Sequence, residues 1–204
     1  QSSGDTWNVH KNLMSSLSPI VDCGVHYLDV MCQITESKPL SVSAIGIRLT
    51  EEIPNDNYNY GQLQIRFADG SVGWYECAWG PMISETAFFI KDVIGPKGSV
   101  SIISEDDIHS SDSDNIENHT RNNCLKIHSS ELDNNGEFVS PNKKVVYDED
   151  PSHQDLCDNE QSYFYDSIIN DINLKDHLED SYKSLQIALA CEQAVKSGGT
   201  IDLD

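Results

Sequence analysis

The chain has 204 residues, 38% of them hydrophobic, and carries 34 Asp and Glu against 13 Lys and Arg, for a formal net charge of -21 at pH 7. That length suits one well-filled core, and the charge opposes nucleic acid and anionic membrane surfaces, which are held through Lys and Arg. No run approaches the roughly 18 consecutive apolar residues of a membrane span, so the expectation is a soluble, cytoplasmic protein without nucleic-acid or membrane partners.

Gln1 opens the chain in place of Met, and material upstream is expected to have been removed or left out. The first strongly apolar segment is "SPIVDCGVHYLDVMCQ", residues 18 to 33, which also carries Asp22, His26 and Asp29. Helical periodicity predicts a helix over 19–35. At 100° per residue the three ionisable groups fall within about 60° of one another, with Ile20, Tyr27, Met31 and Ile34 on the opposite side. The expectation is a largely buried helix with one narrow polar stripe.

Segments of period two follow. "LSVSAIGIRLT" (40–50) and "GQLQIRF" (61–67) alternate, and Asp69-Gly70 supplies a tight turn into "SVGWYECAW" (71–79). "AFFIKDVIG" and "SVSII" flank the turn Gly95-Pro96-Lys97-Gly98. Consecutive strands joined by short turns point to an antiparallel sheet. From Ser104 to Glu160 the composition shifts to 15 of the 34 acidic residues against four basic ones, which reads as a polar acidic insertion at about 104–142, much of it a solvated loop. Inside it "CLKIHSSEL", the turn Asp133-Asn134-Asn135-Gly136 and "KKVVYDE" suit an extra pair of strands. Asn118-His119-Thr120 matches a glycosylation acceptor, a pattern common by chance.

Two helices and a strand end the chain. Ser152 with Asp155 predicts a capped helix to about Asp171, with Leu156, Phe164, Ile168 and Ile172 inward. Asp176 with Glu179 opens a longer helix in which Leu178, Tyr182, Leu185 and Leu189 keep i, i+4, i+7, i+11 spacing, until Gly198-Gly199 stops it and "TIDL" forms a last short strand. The six cysteines, Cys23, Cys32, Cys77, Cys124, Cys157 and Cys191, show no CxxC pair or regular framework and are expected to be reduced and mostly buried.

Burying a carboxylate or an imidazolium costs several kcal/mol unless partners or water compensate, so the Asp22/His26 stripe must face something polar. Mutual pairing of Asp22 and His26 is one account; the start of a metal site is another, but His109, His119, His128 and His153 lack metal-type spacing, and no metal is expected. No Gly-rich phosphate loop and no G-x-S-x-G elbow is present in the sequence. Trp74, Tyr75, Trp79 and the loop at 79–87 suit either a sugar pocket or a sheet core.

Three segments carry a family likeness. "SPIVDCGVHYLDVMCQITESKPLSVSAIG", with its D-x-G-x-H-x-x-D core, "FADGSVGWYECAWGPMISETAFFIKDVIGPKGSVSI" and "DHLEDSYKSLQIALACEQAVKSGGTIDL" resemble, in order, the C-terminal domain of the glucose-fructose oxidoreductase / inositol dehydrogenase / rhizopine-catabolism (Gfo/Idh/MocA) family. The resemblance implies an α+β fold, an open, predominantly antiparallel sheet with helices packed on one face, as in dihydrodipicolinate-reductase-like dehydrogenase domains. It also implies that residues 1–204 form a single substrate-binding and oligomerisation domain of a two-domain NAD(P)-dependent enzyme. The Rossmann domain, with the NAD or NADP site and a catalytic lysine, is not in this sequence. Lys38, in "SKP" after the helix, is not assigned that role.

Oxidising a carbinol to pass hydride to nicotinamide requires removal of the hydroxyl proton, and histidine, whose ordinary pKa lies near neutrality, is suited to take it. By this likeness His26 is the candidate general acid/base and Asp22 its partner or a substrate ligand. Asp29, Tyr60 and Trp79 complete the candidate substrate-binding set, Asp29 having a structural alternative. The expected substrate is a sugar, polyol or related carbohydrate, and the sheet is expected to mediate homo-oligomer contacts. The alternative is a non-catalytic module that binds carbohydrate or assembles oligomers; in either case this chain alone should not turn over.

Overall fold

The computed structural model describes residues 4–82, 91–103, 123–147 and 151–203. In order these form α1 (Gly4–Leu13), a π-helical turn (Ile20–Gly24) that runs directly into α2 (Val25–Thr35), β1 (Pro39–Ile47), β2 (Tyr60–Phe67), β3 (Val72–Ala78), β4 (Lys91–Gly95), β5 (Gly98–Ile102), β6 (Cys124–Ser129), β7 (Lys143–Val146), α3 (His153–Ile169), α4 (Lys175–Ser197) and β8 (Thr200–Asp202). The α+β, antiparallel class expected from the sequence holds. The strands are divided between two four-stranded sheets, however, ordered β3-β2-β1-β8 and β4-β5-β6-β7. The chain correspondingly separates into two compact units, 1–84 with 169–204, and 85–168.

In the first unit the strands alternate as their sequences require. Val42 and Ala44 of β1 lie beside Ile65 and Leu63 of β2, and all four are buried on one face. Leu28 of α2, Ile20 of the π turn and Ile187, Ala188, Cys191 and Ala194 of α4 close over that face as a single core. Each fully buried Leu or Ile contributes about 1.5 to 3 kcal/mol. The other face of the sheet carries Ile45, Val72 and Trp74, all exposed, among Gln64, Arg66 and Glu76.

The inward face of α4 is not the one its large residues suggest. Leu178, Tyr182, Leu185 and Leu189 are exposed, Leu178 by 70%, and the helix meets the core through Ser184, Ile187, Ala188, Ala190, Cys191 and Ala194. Small side chains allow close approach: a Cβ on Gly46 of β1 would stand 2.7 Å from the Tyr58 ring and 2.9 Å from Val195 Cγ1. The capping pair expected at Asp176 and Glu179 is replaced by Asn173, whose Oδ1 accepts from the Lys175 amide at 3.0 Å.

A satellite cluster of Trp7, Met14, Ile53 and Trp79 packs α1 onto the β1–β2 connection. Glu52 fastens it from the side, accepting from Trp7 Nε1 at 3.2 Å and Lys11 Nζ at 2.9 Å. Asn59, fully buried, ties the connection together. Its Oδ1 accepts from the Leu49 amide at 2.7 Å and its Nδ2 donates to the Trp79 carbonyl at 2.6 Å. Neither α1 nor Asn59 announces itself by apolar periodicity.

The second unit is an antiparallel meander. At its first turn Gly98 has φ of 142°, and a Cβ there would lie 1.9 Å from the His128 carbonyl oxygen. The strands expected inside the acidic stretch form, as β6 and β7, and the turn between them is held by Asp133 Oδ1 accepting from the Asn135 and Glu137 amides at 2.8 and 3.0 Å. Residues 104–122, with the Asn118 motif, and residues 83–90 lie outside the described residues. The capping pair opening α3 is present, Asp155 N donating to Ser152 Oγ at 3.1 Å and Ser152 Oγ to Asp155 Oδ2 at 2.7 Å. Its supposed inward residues are not inward: Leu156, Phe164 and Ile168 are exposed, and so is Ile172 beyond the helix. Periodicity establishes that such residues share a face; it does not supply a surface for that face to meet.

Asn59→Ala would leave the part-buried Leu49 amide and the buried Trp79 carbonyl without their side-chain partner, so it should cost about 2 kcal/mol. A lowered urea midpoint with an unchanged slope is the expected readout.

Candidate functional site

The segment carrying the candidate residues begins at Ser18. The Ser18 Oγ accepts from the Val21 amide at 3.2 Å, an N-cap, and buried Pro19 stands at the helix start, where its missing N–H costs nothing. The backbone then makes a π turn over Ile20–Gly24 before settling into α2. Such turns place one more residue in the turn than an α-helix does. The angular relation read at 100° per residue therefore does not carry across from Asp22 to His26.

The helix has three sides. Leu28 enters the core, and Tyr27 stacks on Tyr75 of β3 with ring centroids 4.8 Å apart. Asp29 faces α4, where its Oδ1 accepts from Ser184 Oγ at 3.0 Å while Oδ2 accepts from Gln33 at 2.6 Å. The third side is open and holds His26, Val30, Gln33 and Ile34. The largely buried helix expected from the sequence is thus half exposed, and Ile34 lies outward.

Asp22 is half-buried and His26 exposed. No hydrogen bond joins them among the described residues, and the Asp22 carboxylate accepts instead from the neighbouring Cys23 thiol at 3.7 Å. Burial, and then the Asp22 charge, push that thiol up to about 12. Burial likewise raises Cys77 and, to about 12, Cys191. These thiols stay protonated near neutral pH and offer no thiolate nucleophile. The Tyr75 and Tyr27 hydroxyls are raised chiefly by burial as well.

The remaining candidates are not assembled around this pair. Trp79 is buried in the satellite cluster, its ring 4.2 Å from that of His10; Cys23 packs on the same cluster, so Trp79 supports the helix from below and lines no open surface. Tyr60 is on the opposite face of the sheet from the helices, donating to Glu76 Oε1 at 2.9 Å. Asp29 is a bracket between two helices. The three residues expected as substrate ligands thus lie apart from Asp22 and His26: strand parity decides the face of Tyr60, and Asp29 is hydrogen-bonded to Ser184 of α4. An open depression of about 620 Å³ lies at the far end of α2, lined by Asp29, Lys38, Asp180 and Lys183 among others and by neither Asp22 nor His26.

Sequence reasoning passed over Ser18, Tyr58 and Glu192. The hydroxyls of Ser18 and Tyr58 both donate to Oε1 of Glu192 on α4. Ser-Pro at a helix start is a recognisable signal; nothing local in the sequence announces the other two. Among the described residues no group of three or more His, Cys, Asp or Glu could hold a metal ion, and no helix is long and apolar enough to cross a membrane.

Comparison with known proteins gives a consistent result. No curated protein matches the chain. An oxidoreductase from Agrobacterium radiobacter, solved with NAD+, L-tartaric acid and magnesium, is similar with a TM-score of 0.64 at 14% identity over 98% of this chain and 54% of its own. Levoglucosan dehydrogenase, solved with NADH and levoglucosan, has a TM-score of 0.65 at 15% identity over 89% of this chain and 49% of its own. The aldose-aldose oxidoreductase of Caulobacter crescentus, complexed with glycerol, has a TM-score of 0.60 at 17% identity over 88% of this chain and 46% of its own. The chain thus spans about half the length of these proteins, and at such identities the likeness shows the fold. Residues 1–203 match the family described as "Oxidoreductase family, C-terminal alpha/beta domain". The chain belongs to this Gfo/Idh/MocA oxidoreductase family and folds as its C-terminal α/β domain.

Proposed function

We propose that residues 1–204 act as the substrate-binding and catalytic half of an NAD(P)-dependent dehydrogenase of a sugar, polyol or related carbohydrate, with His26 as general acid/base and Asp22 as its acidic partner. The observation that carries this reading is the position of the pair: Asp22 lies in the π turn that leads into α2 and His26 in the first turn of α2, on the side that neither the sheet nor α4 covers. His26 has no hydrogen-bond partner among the described residues. Its imidazole is free to take a proton from a substrate hydroxyl, and Asp22 to accept a hydrogen bond from a second hydroxyl.

The sequence contains no dinucleotide fingerprint, and the paired strands among the described residues are antiparallel. In the proposed enzyme a separate domain holds the NAD or NADP, which receives the carbinol hydride when bound. This chain's share of the chemistry is the proton: the hydroxyl O–H bond breaks and a ring nitrogen of His26 receives it. The named ligands of similar proteins, glycerol and levoglucosan, support a carbohydrate or polyol as the substrate class. The outer face of the first sheet, where Trp74 is 51% and Ile45 53% exposed, suits self-association.

In the complete gene product, His26→Ala is expected to lower NAD(P)-dependent turnover on a panel of sugars and polyols by about 100-fold. Turnover near the parent value would overturn the assignment, and absence of redox activity in the parent on every substrate would favour the binding or assembly module. Sedimentation of the chain should show a species larger than a monomer, and Trp74→Glu should weaken that association by about 10-fold or more; a strict monomer at high concentration would exclude the sheet as an interface.

A further inference from the structure

Two polar latches join α2 to α4, and the candidate pair lies between them. At the first, Ser18 Oγ accepts from the Val21 amide and spends its own proton on Glu192 Oε1, which also receives the Tyr58 hydroxyl proton. At the second, Asp29 Oδ1 accepts from Ser184 Oγ. Ser18 pairs with residue 192 and Asp29 with residue 184, so the two segments run antiparallel and the latches stand at either end of the stretch holding Asp22 and His26. Ser18 and Tyr58 are buried, at 8% and 7% exposure, and a buried hydroxyl deprived of its acceptor is expensive, whereas the Ser184 hydroxyl also has the Asp180 carbonyl at 2.9 Å to donate to.

The first latch is the one next to the irregular backbone. Ser18 takes two backbone amides, Val21 N on its hydroxyl and Asp22 N on its carbonyl at 2.9 Å, just as the π turn begins. The Ser18 hydroxyl thus accepts from Val21 and donates its one proton to the Glu192 carboxylate, which can only accept. Tyr58 fixes the same carboxylate from the β1–β2 connection, and Gly46 and Gly61 keep open the space that the Tyr58 ring fills. Two separate parts of the chain therefore converge on a single carboxylate oxygen of a third, at the base of the π turn.

We propose that Glu192 is a positioning residue for the dehydrogenase: by gathering the Ser18 and Tyr58 hydroxyls it sets the start of α2 and the π turn, and so the direction in which Asp22 and His26 are presented. The proposal rests on the functional reading above. Glu192 touches no substrate; it acts through Ser18. Its requirement is for an oxygen that accepts two hydroxyls, which a glutamine supplies and a leucine does not.

The experiment compares Glu192→Gln, Glu192→Leu, Tyr58→Phe and His26→Ala in the complete gene product, measuring kcat and KM separately on the best sugar or polyol substrate, well below the melting temperature. A misdirected proton acceptor is expected to lower kcat in Glu192→Leu by about 10-fold or more with a much smaller change in KM. Tyr58→Phe should give a smaller loss of the same kind, and Glu192→Gln should stay within about 2-fold of the parent. If Glu192→Leu does not fold, Tyr58→Phe against Glu192→Gln decides. Parent-like kcat in folded Glu192→Leu, or in Tyr58→Phe should it stand alone, overturns the proposal while an inactive His26→Ala leaves the functional reading intact. A Glu192→Gln as impaired as Glu192→Leu overturns it as well. An unimpaired His26→Ala overturns the functional reading, and amide hydrogen exchange then decides: protection lost over Val21–His26 but kept in α4 supports the positioning role, and unchanged protection ends it.

Discussion

Close approach of α4 to the first sheet is the constraint on which the rest of the molecule depends. A helix can lie near a sheet only where its facing side chains are small, and α4 offers Ala188, Ala190, Cys191 and Ala194 there, with Gly46 opposite in β1. Packing at this density makes each methyl group count. It also leaves room for one polar residue, Glu192, at the rim of the same core, within reach of two hydroxyls from elsewhere in the chain. The large residues of α4, displaced from that contact, are left on the outer side.

The placement of α2 follows from α4. One side of α2 is claimed by the sheet through Leu28 and Tyr27, another by α4 through Asp29, and the third remains open with His26 on it. The desolvation cost that three ionisable groups in an apolar helix would otherwise carry is met in a different way at each position. Asp29 receives two hydrogen bonds, Asp22 is half-buried beside a thiol, and His26 keeps its contact with water. Groups of this kind in one segment can thus have unlike surroundings, one of them tied into the packing of two helices and one left open to water.

The D-x-G-x-H-x-x-D segment, the alternating strands, the Asp69-Gly70 turn, the Ser152/Asp155 cap and the strands within the acidic stretch were all legible, because each is specified by neighbours within a few residues. Family membership was legible for a related reason: three such segments in a fixed order are improbable together. The positions of Trp79, Tyr60 and Asp29 were not legible. An aromatic beside a turn reads alike whether it lies under α1 or lines a pocket, and only the pairing of β2 with β3 assigns Tyr60 to the outer face.

By itself, the sequence determined most local conformations, the antiparallel class, the family and the placement of Asp22 and His26 within one short segment. Tertiary structure alone decided which face of α4 is buried, that α2 begins with a π turn, that Asp29 serves α4, and that Ser18, Tyr58 and Glu192 meet. The physical reason is range. Capping, turn chemistry and periodicity act over one or two turns of chain, whereas hydrogen bonds between residues 18, 58 and 192 and the choice between two apolar stripes on one helix are settled only when distant surfaces compete for the same space.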